Sequence, residues 1–292
     1  MWTYSAGAAI DSSPAIVGPN VVFGTGADKV VALNSATGAA AWSATTTSAV
    51  ASAPANAQGV VLVGTDDGTV YDLNAQTGKV LWMVKLGGAV KGSPAIDATA
   101  GNVIVGDASG AITALNLTTG AQLWQMSTSG PITASPTVYN GQVLIGSGNG
   151  VEYSLKESTG ATQWQVNTGA AVTASAALYA NAVNGSGTGA LNQIVVGNSA
   201  GRVLYLSLSN GTANRDYTET SGIVGISDAT GWAVINTAGG QVIRYKFATQ
   251  KSWVYQASAG FTTSPVVVNG VVYLAGQDQT VSAWTIPGQQ IP

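Results

Sequence analysis

The 292-residue chain carries 10 Lys and Arg against 13 Asp and Glu, a net charge of -3, so it has no basic surplus to neutralise phosphates, which argues against a nucleic-acid partner. Only 8% of residues are charged while 46% are apolar, and Thr, Ser, Asn, Gly and Ala fill the surface, a bias associated with extracytoplasmic (secreted, periplasmic or cell-surface) domains. Zero Cys and zero His remove disulfides, thiol nucleophiles, thiolate metal sites, Ser-His-Asp catalysis, the usual haem ligands and the usual general base near neutral pH.

Along the chain the same phrases return. The start, WTYSAG at 2–7, is similar to WQVNTG at 164–169. It has no basic segment followed by an apolar one, so a signal peptide is expected to be absent or already removed. No apolar run reaches the length of a membrane helix. The phrase ALNSATGAAAW at 32–42 recurs as DLNAQTGKVLW at 72–82, ALNLTTGAQLW at 114–124 and SLKESTGATQW at 154–164. A Ser-Pro marker or its relic runs in phase with it, at 12–14, 52–54, 92–94, 134–136, 174–176 and 263–265. In copy two, VVLV at 60–63 and TVYDL at 69–73 flank GTDDG, a hairpin signal. The Thr77-Gly78 turn follows, and Trp82 opens a fourth strand.

The fifth copy, after an insertion at 181–192, is degenerate: LSLSNGTANR at 206–215 puts Arg215 where a tryptophan is expected. The sixth has lost its Ser-Pro near 222–231 and ends at Trp253. The last supplies three strands between Ser264 and Ile286. A period of about 40 residues with four strands per copy predicts an all-β, seven-bladed β-propeller of four-stranded antiparallel blades. Residues 1–286 form one domain, the N-terminal strand 1–7 completes blade seven, and 287–292 read as a tail or linker start.

The pattern Ala-x-Asn/Asp-x-x-Thr-Gly-x-x-x-Trp, preceded by Ser-Pro and a Val-rich hairpin, resembles the tryptophan-docking repeat of pyrroloquinoline-quinone (PQQ)-like propellers. The resemblance implies that Trp2, Trp42, Trp82, Trp124, Trp164 and Trp253, with Arg215 as a substitute, dock between neighbouring blades and touch no cofactor. Relatives that use PQQ are longer or rely on a Cys pair, Ca²⁺ ligands or a His base, so catalytic sites, cofactor and metal are all expected to be none. The better-fitting relatives are the propeller lipoprotein of the bacterial outer-membrane assembly machine and the sensor domains of some kinases.

The expected function is therefore a non-catalytic, monomeric scaffold domain within a larger protein, with a protein or glycan partner. The alternative is an enzyme, either a reduced quinoprotein or a carboxylate-based glycan-active protein. Most acids fall in predicted hairpin turns, against a buried acid pair. GTGADK at 24–29 and GSGNG at 146–150 are read as turns rather than phosphate loops, since no helix follows. Asp66 and Asp67 are read as solvated rather than as Ca²⁺ ligands, since strand alternation carries Asp72 away from their turn. The hairpins between second and third strands share a face with the links between blades. That face gathers Asp28, Lys29, Asp66, Asp67, Lys85, Lys91, Asp107, Asn149, Asn198, Arg202 and Asp278 as the candidate partner-binding surface, and the opposite face carries the Thr-Gly turns and the insertion.

Overall fold

The computed structural model describes residues 2–183, 190–229, 232–246, 251–268, 270–278 and 280–285. Met1, the tip of the insertion and the tail 287–292 thus lie outside the described residues. All regular structure in them is β, and the chain is a seven-bladed β-propeller. Each blade runs through strands a, b, c and d in sequence order, antiparallel neighbour to neighbour.

Blade one is Ala15–Val17, Asn20–Thr25, Lys29–Asn34 and Ala40–Thr45, and blade two Ala55–Ala57, Val60–Gly64, Thr69–Asn74 and Val80–Lys85. Blade three is Ala95–Asp97, Asn102–Gly106, Ala111–Asn116 and Gln122–Ser127. Blade four is Thr137–Tyr139, Gln142–Gly146, Val151–Lys156 and Thr162–Asn167. Blade five is Ala177–Val183, Ala190–Gly197, Arg202–Ser207 and Ala213–Thr218, its first hairpin lengthened by the insertion, and blade six Ile223–Ala229, Trp232–Thr237, Gln241–Lys246 and Lys251–Gln256. Blade seven has three strands, Val266–Val268, Val271–Ala275 and Val281–Thr285. Residues 2–7 belong to no ladder among the described residues, so the fourth strand expected from them remains a proposal.

The chain divides into two compact units, residues 1–143 with 155–161, and 144–154 with 162–292. In the first, the core lies in layers between blades: Val22, Val30, Trp42 and Val50 meet Val61, Val63, Tyr71 and Leu73, and Leu62, Val70, Trp82 and Val90 meet Val103, Val105, Leu115 and Leu117. Inner strands are thus apolar on both faces, which is why VVLV shows no alternation. In the second unit, Tyr179, Val195, Val203 and Tyr205 meet Ile223, Ile235, Ile243 and Tyr245. Val234, Val242 and Phe261 meet Val272, Leu274 and Trp284.

The recurrent phrase builds the joint between blades. Asn34 Oδ1 accepts from the backbone of Ala36 and Thr37 and from Thr37 Oγ1. Asn74 and Asn116 repeat the arrangement. The turn, Asx-capped in blades one to three and led by Lys156 and Ser207 in blades four and five, delivers Gly38, Gly78, Gly120, Gly160 and Gly211 in the left-handed region, φ 69–73°. A Cβ on any of these five would lie 2.5–2.8 Å from the ring of Trp2, Trp42, Trp82, Trp124 or Trp164, respectively. Glycine is required there twice over, by φ and by the indole. Each indole Nε1 donates to the first carbonyl beyond strand c: Ser35, Ala75, Leu117, Glu157 and Leu208 in turn, at 2.5–3.0 Å.

Arg215 sits at the tryptophan's register, opposite Tyr205, and its Nη1 is 3.5 Å from Tyr217 Oη. Trp253 packs with Tyr255 and Trp284. The turns that would receive Arg215 and Trp253 fall at 247–250 and beyond 285, outside the described residues.

Candidate functional site

In the first unit, each link from strand d to the next blade hydrogen-bonds the b–c hairpins: Val50 to Thr25, Asp66 to Ala49, Leu86 to Gly68 and Val90 to Thr65. One end of these blades therefore carries both kinds of loop. The second unit repeats this, Ser199 donating to Ala171 and Ile223 to Asn198.

The hairpins are self-capped, which holds their charges in place. Thr65 Oγ1 accepts from Thr69 N, Asp107 Oδ1 from Ala111 N, Asn198 Oδ1 from Arg202 N and Thr237 Oγ1 from Gln241 N, at 2.9–3.3 Å. On blade two the cap presents Asp66 and Asp67 to two lysines of the following strand and link. Lys91 Nζ lies 2.7 Å from Asp66 Oδ1, and Lys85 Nζ 3.0 Å from Asp67 Oδ2. Burial works against ionisation of Asp67, but hydrogen bonds from Thr65, Lys85 and Thr47 outweigh it and hold the carboxyl well below its ordinary range. Four of the expected face residues thus form one alternating cluster, solvated and paired rather than poised around a cation.

The other expected residues divide. Asp28 occupies the first-blade hairpin at φ 58° beside exposed Lys29. In the second unit Arg202 makes a bidentate pair with Asp216 at 2.9 and 2.7 Å, which lowers the Asp216 pKa, and donates to the Thr168 carbonyl. Asn149 donates to Tyr153 Oη. Asp278 accepts from Thr280 and Ser258, which lower its pKa. Asp107 and Asn198 correct the expectation: both are buried, at 0% and 1% exposure, and cap hairpins from inside instead of facing a partner.

Five of the thirteen acids are nevertheless enclosed. Asp72, Asp107, Glu152, Glu157 and Glu219 are all buried. Asp72 stands mid-strand between Leu62 and Trp82, with Oδ1 unpartnered, and burial pushes its pKa up to about 7. Glu152 is fully buried with neither oxygen partnered, and its pKa rises to about 8 for the same reason. Both replace small or apolar residues of other copies, a signal present in the repeat alignment. Glu157 accepts from Asn102 Nδ2 at 3.0 Å; burial raises its pKa, Asn102 opposes this and Asp97 adds to it. Among the described residues no group of three or more acidic, His or Cys side chains could hold a metal.

A cavity of about 440 Å³ lies at the opposite end of blades one and two, where the a–b turns are. It is lined by Val17, Asn20, Asn56, Gln58, Val60 and Ala75 among others, none of them charged.

The comparisons agree with this architecture. BamB from Moraxella catarrhalis is 23% identical with a TM-score of 0.81, covering 97% of this chain and 87% of that one. The computationally designed Ika8 protein is 20% identical with a TM-score of 0.82, covering 98% and 86%. At these identities the likeness shows the fold alone. No curated protein matches. The family model described as outer membrane protein assembly factor BamB matches residues 1–131 and 66–221. The matched ranges span the docking repeats of blades one to five, and this chain belongs to that family.

Proposed function

We propose that the protein is a non-catalytic, extracytoplasmic scaffold that holds a protein partner in outer-membrane assembly, and that it does so through the charged end of its blades. The family description supplies the assembly context. The single observation that carries the choice of surface is the paired cluster Asp66–Lys91 and Asp67–Lys85, a pre-ordered array of alternating charge on self-capped hairpins. Such arrays set partner choice and encounter more than affinity. Exposed pairs of this kind contribute little to stability, about 0–1 kcal/mol, so their arrangement is free to serve recognition.

Exchanging the partners, Asp66→Lys with Lys91→Asp and Asp67→Lys with Lys85→Asp, preserves both ion pairs while inverting the pattern a partner meets. Recovery of cross-linked envelope proteins by wild type but not by this variant, at unchanged melting temperature, is the expected result. A protein partner that ignores the exchange but is lost on shortening the 181–192 hairpin places recognition at the other end. Selective capture on a glycan array in place of any protein overturns the reading.

A further inference from the structure

The joint between blades contains a slot that repeats with different fillings. On one side stands the first residue of strand b: Asn20, Val60 and Asn102 in blades one to three, each paired with the last residue of strand c. On the other side stands the residue whose carbonyl holds the neighbouring indole: Ala75, Leu117 and Glu157 in the next blade. In the second slot Val60 and Leu117 belong to one apolar cluster. In the third, Asn102 Nδ2 donates to Glu157 Oε1 at 3.0 Å.

The first slot has the asparagine of the third but only a methyl group opposite it. Asn20 is 8% exposed and its carboxamide makes no hydrogen bond among the described residues. It lines the cavity of about 440 Å³ that Ala75 leaves open, within the size range of small-ligand sites. Its amide atoms are open to solvent through that cavity, so a partner group entering it takes over hydrogen bonds now made to water. Gln58, at φ 49°, and Gly59 form a rim turn. Val17, Val60 and Ala75 provide apolar walls.

We propose that this slot receives a glutamine side chain from a partner segment. The third slot shows the complement to an asparagine here: a two-methylene side chain ending in an sp² oxygen. No cation lines the first slot, so a neutral carboxamide enters at lower desolvation cost than a carboxylate. It also returns a donor to Asn20 Oδ1 while accepting from Nδ2. The site is at the opposite end of the blades from the charged cluster, so it stands or falls independently of the proposed function.

The test uses the full chain, ¹⁵N-labelled, titrated with the blocked tripeptides acetyl-Ala-Gln-Ala-amide and acetyl-Ala-Ala-Ala-amide. Saturable shifts of the Asn20 side-chain NH₂ and the Gly59 amide are expected with the Gln peptide, and binding about tenfold weaker with the Ala peptide. Ala75→Leu, which fills the slot as Leu117 does, should abolish the response without lowering the melting temperature. Asn20→Val, the residue of the second slot, gives the same reading should Ala75→Leu fail to fold. Equal shifts with both peptides, no shift with either, or a response that survives in whichever variant folds would overturn the proposal.

Discussion

Trp124 shows how much one side chain carries. Its ring lies against Gly160, where a Cβ would come within 2.5 Å of it, and its Nε1 donates to the Glu157 carbonyl. Truncation removes a buried aromatic and orphans that acceptor, so Trp124→Ala should cost about 3–5 kcal/mol in denaturant unfolding. A cost below about 1 kcal/mol would show that the joint does not depend on the ring. Asp72 and Glu152 act in the opposite sense. Each holds a proton in the folded state, to about pH 7 and about pH 8, after the unfolded chain has released it near 3.8 and 4.5. The folded state binds more protons over that window, so stability falls as pH rises through it and levels above the folded pKa values. Melting temperature should therefore decline between about pH 5 and 8, and Asp72→Ala or Glu152→Gln should flatten the decline and be most stabilising at the alkaline end. An unchanged slope in both variants would count against this assignment. Copies one and three already place Ala32 and Ala114 at the Asp72 register.

At the scale of the blade, the Asn-x-x-Thr-Gly turn was legible in the sequence because its demands are local. A positive-φ glycine stands at each described turn from strand c into strand d, and in blades one to three an Asx cap leads into it. The paired lysines and aspartates of blade two were legible as sharing an end, since hairpin and link positions follow from strand order. Which of the hairpin residues point outward was not legible. Asp107 and Thr65 occupy the same capping position with similar backbone bonds, and only the packing of the preceding link shows that the Asp107 carboxylate is enclosed. The open slot between blades one and two was equally hidden. Ala75 is unremarkable in sequence, and its significance depends on Asn20, 55 positions away along the chain.

For the whole molecule, blade count follows from period and length, whereas completion of blade seven does not follow from the described ladders. Residues 2–7 have the form of a strand d, and Trp2 docks on Ser35 and Gly38 as the other tryptophans dock on their turns. Among the described residues the seventh sheet has no strand d, and Val266, Val268, Tyr273 and Val281 are exposed at 42–74%. Were residues 2–7 to complete blade seven, as proposed, the pairing of Ile243 with Val254 in blade six, transferred by repeat register, would set Ser282 opposite Thr3. In a chain without native cysteine, Thr3→Cys with Ser282→Cys should form a disulfide within the monomer and raise the melting temperature by a loop-closure effect worth about 2–4 kcal/mol. Cross-links found only between molecules would mean that blade seven keeps an open edge, available to other strands.

The sequence by itself determined the repeat, the strand order within a blade, the seven-blade architecture and the tryptophan joint. All of these rest on residues that recur at a fixed period and on turns whose geometry is set within five residues. Tertiary structure alone decided which carboxyls are buried, which hairpin charges are paired and where a joint is left unfilled. Those outcomes depend on the side chain that the next blade brings opposite, and two blades that read alike in sequence differ once a leucine, a glutamate or an alanine stands across the same slot.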